Sequence, residues 1–474
     1  MTKKDLKGKR VTVVGLGLHG GGVGTVRFLA ECGAKVLVTD IKQREELKPS
    51  LDKLKGVSAT YVLGQHRPED FTETDLIVRS PAVPDNFKYF ELARAKKIPI
   101  TNDIALFFKL CPGRICGVTG TKGKSTTAQL LALMLEKAAP VVLAGNIGVS
   151  ALESLSRVKA DTLVVLELSS WQLEDLAAAG LSPGVAVITN VTADHLDRHV
   201  TPAKYLEAKA AILKHQRAKD LVILNYDDPP TQGLGAGAPG QVWYFSVKHD
   251  LNAIIAAQSR YQVGASVKVQ AVIFGRAGEI LLNTNEITLK GQHNLANVLA
   301  ATTAARLLGA SAKRIAKVAN SFKGLPGRLE SVAVWREIGF YNDTTATNPT
   351  AAAAALEALD PAGERHVALI VGGQNKNLPL EPLPAAIAKY CNFVAILPGT
   401  FSDLLFEELQ KQRVTPHQMV LSLEEAITQC ASHSKAGGAI VLSPGAASFN
   451  MFRHEFDRGD QYAAAVKKFI SLNP

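Results

Sequence analysis

Short apolar runs, each closed by a glycine-rich or polar turn and followed by a stretch of helical periodicity, recur along most of the chain. Residues 11–14 read as a strand, a glycine-rich turn follows, 25–32 carry a helical pattern, and 35–39 read as a second strand. Further β-like runs lie at 60–63 and 75–79, the latter ending in Ser80-Pro81-Ala82-Val83-Pro84. Near residue 102 the pattern moves into ALFFKLCPGR, which marks a second domain. There an apolar run at 115–118 breaks into a glycine turn and then the helical stretch AQLLALMLEKA. Strand-like segments at 141–145, 161–168, 184–190 and 220–226 alternate with helical ones, the signature of a mainly parallel sheet. The stretch 232–290 holds short β-like runs, 293–308 is helical, and a third unit brings strands at 367–371, 393–397 and 439–442. The expected fold is α/β in three domains: 1–102 Rossmann-like, 103–324 with a P-loop ATPase-type sheet, and 325–474 Rossmann-like again.

A chain of 474 residues with 47% hydrophobic and 20% charged positions has the composition of a globular protein. No apolar run approaches the ~20 residues that span a bilayer, and the start MTKKDLKGKR lacks a signal-peptide core. The five cysteines are scattered and show no metal or disulfide spacing, which points to the cytoplasm. The net charge of +10 comes without a Lys/Arg block, so nucleic acid and membrane drop out as partners. A polyanionic small substrate and a merely solvated basic surface both remain open.

Candidate chemistry centres on GRICGVTGTKGKST, residues 113–126. Strand, glycine loop and helix in that order make a triphosphate cradle: backbone N–H groups turn inward and the helix N-terminus adds partial positive charge. Gly120, Thr121, Gly123, Lys124, Ser125 and Thr126 would hold ATP, with Lys124 on the β/γ-phosphates and Ser125 on Mg²⁺. The strict pattern asks for glycine where this chain has Val118, so the match is a variant. Upstream, Gly15, Gly17 and Gly20 fit G-x-G-x-x-G with Asp40 at the ribose-acid spacing, which alone suggests NAD. That motif accepts any nucleotide diphosphate, and an oxidoreductase would leave the phosphate loop unexplained. Downstream, ELSSWQLE places Glu167 at a strand end, and NVTADHLDRH places His195 at the next. Acidic groups beside a triphosphate indicate Mg²⁺. Thr201 and Pro202 start a helix on which Lys209, by spacing alone, reads as a solvent lysine.

Taken together, TGTKGKST, ELSSWQLE, NVTADHLDRH, GQHN, GLPGRLE, NDTTATNP and LSPGAASFNMF resemble the Mur ligase family over nearly the whole chain. The order and spacing are most similar to the glutamate-adding type. The resemblance implies a UDP-sugar domain, an ATP domain and an amino-acid domain. It also implies a reaction: ATP phosphorylates the carboxylate of UDP-N-acetylmuramoyl-L-alanine, and the amine of glutamate, D-glutamate foremost, attacks the acyl phosphate. A monomer in cytoplasmic peptidoglycan synthesis is the implied setting. L-glutamate as acceptor and a folylpolyglutamate-synthase-like ligase stay open. By the same resemblance, Ser125 and Glu167 bind one Mg²⁺, while His195 and Lys209, as a carbamate, organise a second. Asn294, Asn297, Arg328 and Asp343 match contacts to adenine, phosphates and ribose. Gly17, Asp40, Ser80, Asn146, His195 and Thr347 match substrate positions, and Lys376 and Ser448 match contacts to the glutamate carboxylates.

The chain departs from the family pattern at His19-Gly20-Gly21-Gly22, at Ala82 and Gly327, and at Thr345, where a lysine is usual. A degenerate ligase serving only as a scaffold is the reading that Thr345 alone would favour, and the intact phosphate loop opposes it.

Overall fold

The computed structural model describes residues 1–474 apart from positions 19, 82, 85, 146–149, 193–198, 200, 252–260, 269, 270, 276, 290, 377, 414, 449 and 450. The chain forms three α/β domains around three mostly parallel sheets. In the first sheet, β1 (Arg10–Val14), β2 (Lys35–Asp40), β3 (Thr60–Leu63), β4 (Leu76–Arg79) and β5 (Ile100–Asn102) run parallel in the order β3-β2-β1-β4-β5. Alternation sends Val11, Val13, Val36 and Val38 into one cluster with Val23, Val26 and Leu29 of the helix Gly21–Glu31. Val14 and Ile77 pack on the other face against Phe71 and Phe90. Strand order reverses between β1 and β4, which opens a crevice at their carboxyl ends.

The second sheet holds β6 (Arg114–Thr119), β7 (Val141–Gly145), β8 (Leu163–Glu167), β9 (Val185–Ile188), β10 (Leu221–Asn225), β11 (Gln241–Ser246), β12 (Gln262–Lys268), β13 (Ala271–Phe274) and β14 (Glu279–Asn283). Their order is β14-β13-β12-β11-β10-β9-β6-β8-β7, so the strand that feeds the phosphate loop, β6, lies between β9 and β8. The β-like stretch expected over 232–290 resolves into two parts. Strands β11 and β12 continue the parallel sheet, and β13 and β14 add an antiparallel meander.

These two sheets share one cluster of buried apolar side chains that runs from Leu6 to Val263. Polar contacts close the seam: Arg27 pairs with Glu153, and Asp175 accepts from both Arg79 and Asn102. At Gly24 a Cβ would meet Ser150 Cβ at 2.3 Å, so only glycine permits that approach. Segments Met1–Glu286 and Leu295–Asn320 accordingly form one unit.

The second unit, Ile287–Asn294 with Ser321–Pro474, contains β15 (Glu330–Trp335), β16 (Ile338–Asn342), β17 (Val367–Gly372), β18 (Cys391–Leu397), β19 (His417–Met419) and β20 (Ala439–Leu442) in the order β15-β16-β20-β17-β18-β19. Val367, Leu369 and Val371 fill one core layer, and Ala368 and Ile370 fill the other. The antiparallel hairpin β15–β16 has no turn signal in the sequence. Its turn residues Arg336 and Glu337 adopt φ of 47° and 64°, where glycine or asparagine would have announced it.

Candidate active site

Strand β6 ends in the loop that the sequence singles out, and the loop owes its shape to two glycines. Gly120 has φ +146° and Gly123 φ +84°. A Cβ at Gly120 would lie 1.9 Å from Thr189 Oγ1, and one at Gly123 would lie 2.0 Å from Asn297 Oδ1. Gly123, in the left-handed region, is the N-cap of the helix Lys124–Leu135, so the loop delivers the chain directly into a helix N-terminus. The segment after β9 braces the loop from below. Thr121 N donates to Asn190 O at 2.8 Å, Lys122 N to Asn190 Oδ1 at 3.0 Å, and Thr189 Oγ1 to Lys122 O at 2.6 Å. Lys124 Nζ donates to Gly120 O at 2.9 Å and Thr121 O at 3.0 Å, which holds the ammonium in the mouth of the loop.

Sheet register sets what faces this loop. Glu167 pairs opposite Val118, and Ile188 opposite Thr119, so the ends of β8 and β9 flank the phosphate loop. Glu167 is 2% exposed, and so is a carboxylate kept from bulk water at the foot of the loop. The helix Pro202–Ala210 starts at Thr201, whose side chain accepts from Lys204 N. Lys209 on that helix is 1% exposed, with Nζ 4.6 Å from the Tyr205 ring centroid. The solvent-lysine reading is therefore wrong: the side chain is covered, which is rare for a lysine unless it is paired. Asn297 also belongs to this constellation: its Oδ1 is 3.4 Å from Thr127 Oγ1.

In the first domain, Gly15, Gly17 and Gly20 all take positive φ, at +85°, +61° and +89°. Asp40 knits this turn instead of standing free: Oδ2 accepts from Leu16 N at 2.8 Å and Gly17 N at 3.3 Å, and Oδ1 from Lys42 N at 3.0 Å. A Cβ at Gly15 would meet Ser80 Cβ at 3.0 Å, so Gly17, Asp40 and Ser80 converge on the β1/β4 crevice. His195 and Asn146, like His19 and Ala82 among the departures, lie outside the described residues.

The remaining expected residues, Asn294, Arg328, Asp343, Thr347, Lys376 and Ser448, belong to the second unit. There the loops after β16, β17 and β20 interlock. Gly445 N donates to Ala346 O at 2.8 Å, and Gln374 exchanges bonds of 2.9 and 3.1 Å with Ala447. Asp343 accepts from Leu329 N at 3.1 Å and from Ser443 Oγ at 2.7 Å, and burial pushes its carboxyl up to about 7 although Arg328 lies near. Thr347 is half-buried, Ser448 is 2% exposed, and Lys376 is exposed. The Thr345 hydroxyl donates to Gly327 O at 2.9 Å, and a Cβ at Gly327 would sit 2.8 Å from Thr344 Cγ2. The two departures from the family pattern are thus neighbours that fit each other.

Sequence reasoning passed over Arg458, the largest of the fully buried side chains at 1% exposed. Its Nε donates to Thr344 Oγ1 at 3.1 Å, Nη2 to Thr344 O at 2.9 Å, and Nη1 to Ala446 O at 3.4 Å. An arginine followed by a single glycine within an otherwise polar stretch of helix, DRGDQ, offers no periodic signal of burial.

Comparison with known proteins identifies the family to which these domains belong. The chain matches the Mur ligase MurD-like N-terminal domain over residues 9–102, the Mur ligase middle domain over 118–305, and the Mur ligase glutamate ligase domain over 327–446. It is 42% identical to the UDP-N-acetylmuramoylalanine–D-glutamate ligase of Roseiflexus sp. (strain RS-1), over 98% of this chain and 100% of that one. The chain belongs to the Mur ligase family. Members of that family are ATP-dependent ligases that form C–N bonds. The ligase of the same name from Bdellovibrio bacteriovorus is 34% identical over 98% of each chain. Among solved structures, the UDP-N-acetylmuramate–alanine ligase MurC of Thermotoga maritima shares the fold with a TM-score of 0.62 at 21% identity, covering 98% of this chain and 100% of that one. The MurF ligase of the same organism, solved with ADP, gives a TM-score of 0.59 at 17% identity, covering 99% of this chain and 100% of that one. Among the described residues no helix is long and apolar enough to cross a membrane.

Proposed function

We propose that this Mur ligase joins D-glutamate to UDP-N-acetylmuramoyl-L-alanine at the expense of ATP, as a monomer in the cytoplasmic synthesis of peptidoglycan precursors. The observation that carries the reading is the braced phosphate loop with buried Glu167 and buried Lys209, in a chain similar from end to end to ligases of that name. The uridine end of the acceptor would occupy the β1/β4 crevice, where Asp40 keeps the glycine turn in shape and Ser80 lines the approach. The triphosphate would lie on the amides of 120–126, with Asn297, Asn294, Arg328 and Asp343 on the rest of ATP. The acceptor's terminal carboxylate oxygen attacks the γ-phosphorus and ADP leaves; Lys124 neutralises the charge that develops on the transferred group. The free amine of glutamate then attacks the acyl carbon, and phosphate departs from the tetrahedral adduct. Thr347, Lys376 and Ser448 would hold the carboxylates of glutamate during that attack.

The residues fit Mg²⁺. The loop is a cradle that a Cβ at Gly120 or Gly123 would fill, and the donors beside it are the hard oxygens of Ser125 and Glu167. Those two would hold one ion, and His195 with Lys209 a second. When bound, Mg²⁺ lowers the charge of the triphosphate. Lys209 can serve only after its ammonium has lost one proton and the free amine has added CO₂ with loss of a second, which turns a cation into an anion with two oxygen donors. The test is phosphate release with UDP-N-acetylmuramoyl-L-alanine against a panel of D- and L-amino acids. D-glutamate should give the highest rate, and a preference for a neutral or basic amino acid would refute the roles given to Lys376 and Ser448.

A further inference from the structure

Two of the loops assigned to the amino-acid side, 342–348 and 443–448, read NDTTATN and SPGAAS and contain no lysine or arginine. Their single ionisable group is Asp343, and both its oxygens already accept hydrogen bonds, from Leu329 N and Ser443 Oγ. Beneath both loops lies the guanidinium of Arg458, bonded to Thr344 on one side and Ala446 on the other. Among the described residues Arg458 makes no salt bridge. Its partners are two carbonyls and a hydroxyl, which satisfy its donors without cancelling its charge.

A buried charge left in that state is expensive, and an apolar chain of equal volume commonly serves packing better. Burial lowers the guanidinium pKa to about 10, so the group still carries its charge at neutral pH. Glu455 lies near enough to favour the charged form, but no salt bridge joins its carboxylate to the guanidinium among the described residues. A clamp alone could be built from neutral donors. A clamp that keeps a full positive charge under two cation-free loops has a second use.

We infer that Arg458 is a positioning residue for the acceptor amino acid: it ties loop 342–348 to loop 443–448 and supplies the positive charge by which these loops favour a dicarboxylate over its neutral amide. This rests on the reading of glutamate as acceptor. Arg458 acts through Thr344 and Ala446, the near neighbours in sequence of Thr347 and Ser448, and not by touching the reacting atoms.

The experiment compares kcat/KM for D-glutamate with that for D-glutamine, which has the same shape and a neutral side chain, in the full-length enzyme with ATP and Mg²⁺. Arg458→Met removes the charge and keeps the volume, and should cut the glutamate/glutamine ratio by about 10-fold or more while glutamine changes little. Arg458→Lys keeps the charge and loses the fork, and should hold the ratio near wild type while the melting temperature falls. Equal losses for both amino acids in Arg458→Met would reduce Arg458 to a clamp and overturn the inference. Where the methionine variant does not fold, the lysine variant decides: loss of the ratio with the charge retained overturns it as well. A wild type indifferent between the two amino acids would sink the acceptor reading itself. A wild type that prefers glutamate, with a methionine variant that keeps the preference, sinks only the role of Arg458.

Discussion

The phosphate loop is one unbroken stretch of chain, shaped by two glycines with positive φ that lead into a helix N-terminus. In the C-terminal domain the corresponding surface is assembled from loops after three different strands, held by cross-loop hydrogen bonds and a buried arginine. The first site is built by backbone geometry that the local sequence dictates. The second depends on side chains far apart in sequence that meet only when the sheet has formed. One tolerates little change within a short motif, and the other spreads its sensitivity over some hundred residues of chain, between Gly327 and Arg458. A motif of the first kind leaves little room for exchange, whereas a surface of the second kind can absorb departures that fit each other, such as Gly327 with Thr345.

The comparison is broken most directly at the loop. Lys124→Ala should lower phosphate release by at least ~10²–10³-fold, because it removes charge from where charge develops, and should move the melting temperature little, because the bonds it loses to Gly120 O and Thr121 O tie the loop only to its own helix. Near-wild-type turnover would deny the loop its role. Lys209→Ala should be nearly as inactive, and short carboxylates such as acetate should restore part of its rate. Lys209→Arg should stay inactive, since it keeps a cation and cannot take up CO₂. An arginine variant at full activity, or an alanine variant deaf to acetate, would return Lys209 to an ordinary buried ion.

How legible the molecule was follows the same division. The strands 60–63 and 141–145 and the helix near 293–308 stood in the sequence almost as the structure has them, because each follows a run of period 2 or 3.6 closed by a turn residue. The phosphate loop was legible for the same local reason. Lys209 was not: its burial comes from packing of its helix beside Tyr205, and spacing along one helix does not tell which face is covered. The hairpin β15–β16 hid behind a turn of arginine and glutamate at positive φ. Arg458 hid because arginine is a surface residue by default, and only three-dimensional contact with Thr344 and Ala446 reveals it.

Two smaller effects sharpen the C-terminal side. The Asp343 carboxyl sits at about 7 against an ordinary 3.8, raised by burial. The folded state therefore binds the extra proton, and the stability it contributes is present at low pH and lost as pH rises through about 7. Asp343→Asn should gain melting temperature relative to wild type at pH 8.5 compared with pH 6, by a few degrees; a difference independent of pH would contradict the burial account. Thr345→Ala removes the hydroxyl that donates to Gly327 O at 2.9 Å, a single bond worth ~1 kcal/mol. Denaturant melts should show a loss of that size and no more.

The seam that joins the first two sheets has a consequence for how the acceptor is measured. Arg27 with Glu153, Asp175 with Arg79 and Asn102, and the contact at Gly24 bolt the domain with the β1/β4 crevice to the domain that carries the phosphate loop. Under the proposed placement of the acceptor, its two ends would be gauged by a caliper whose jaws are already locked, set by protein contacts and not by the ligand. An acceptor shortened between its uridine and its carboxylate would still anchor at one jaw and fall short of the other. Steady-state kinetics on such analogues should then show kcat collapsing while KM moves little.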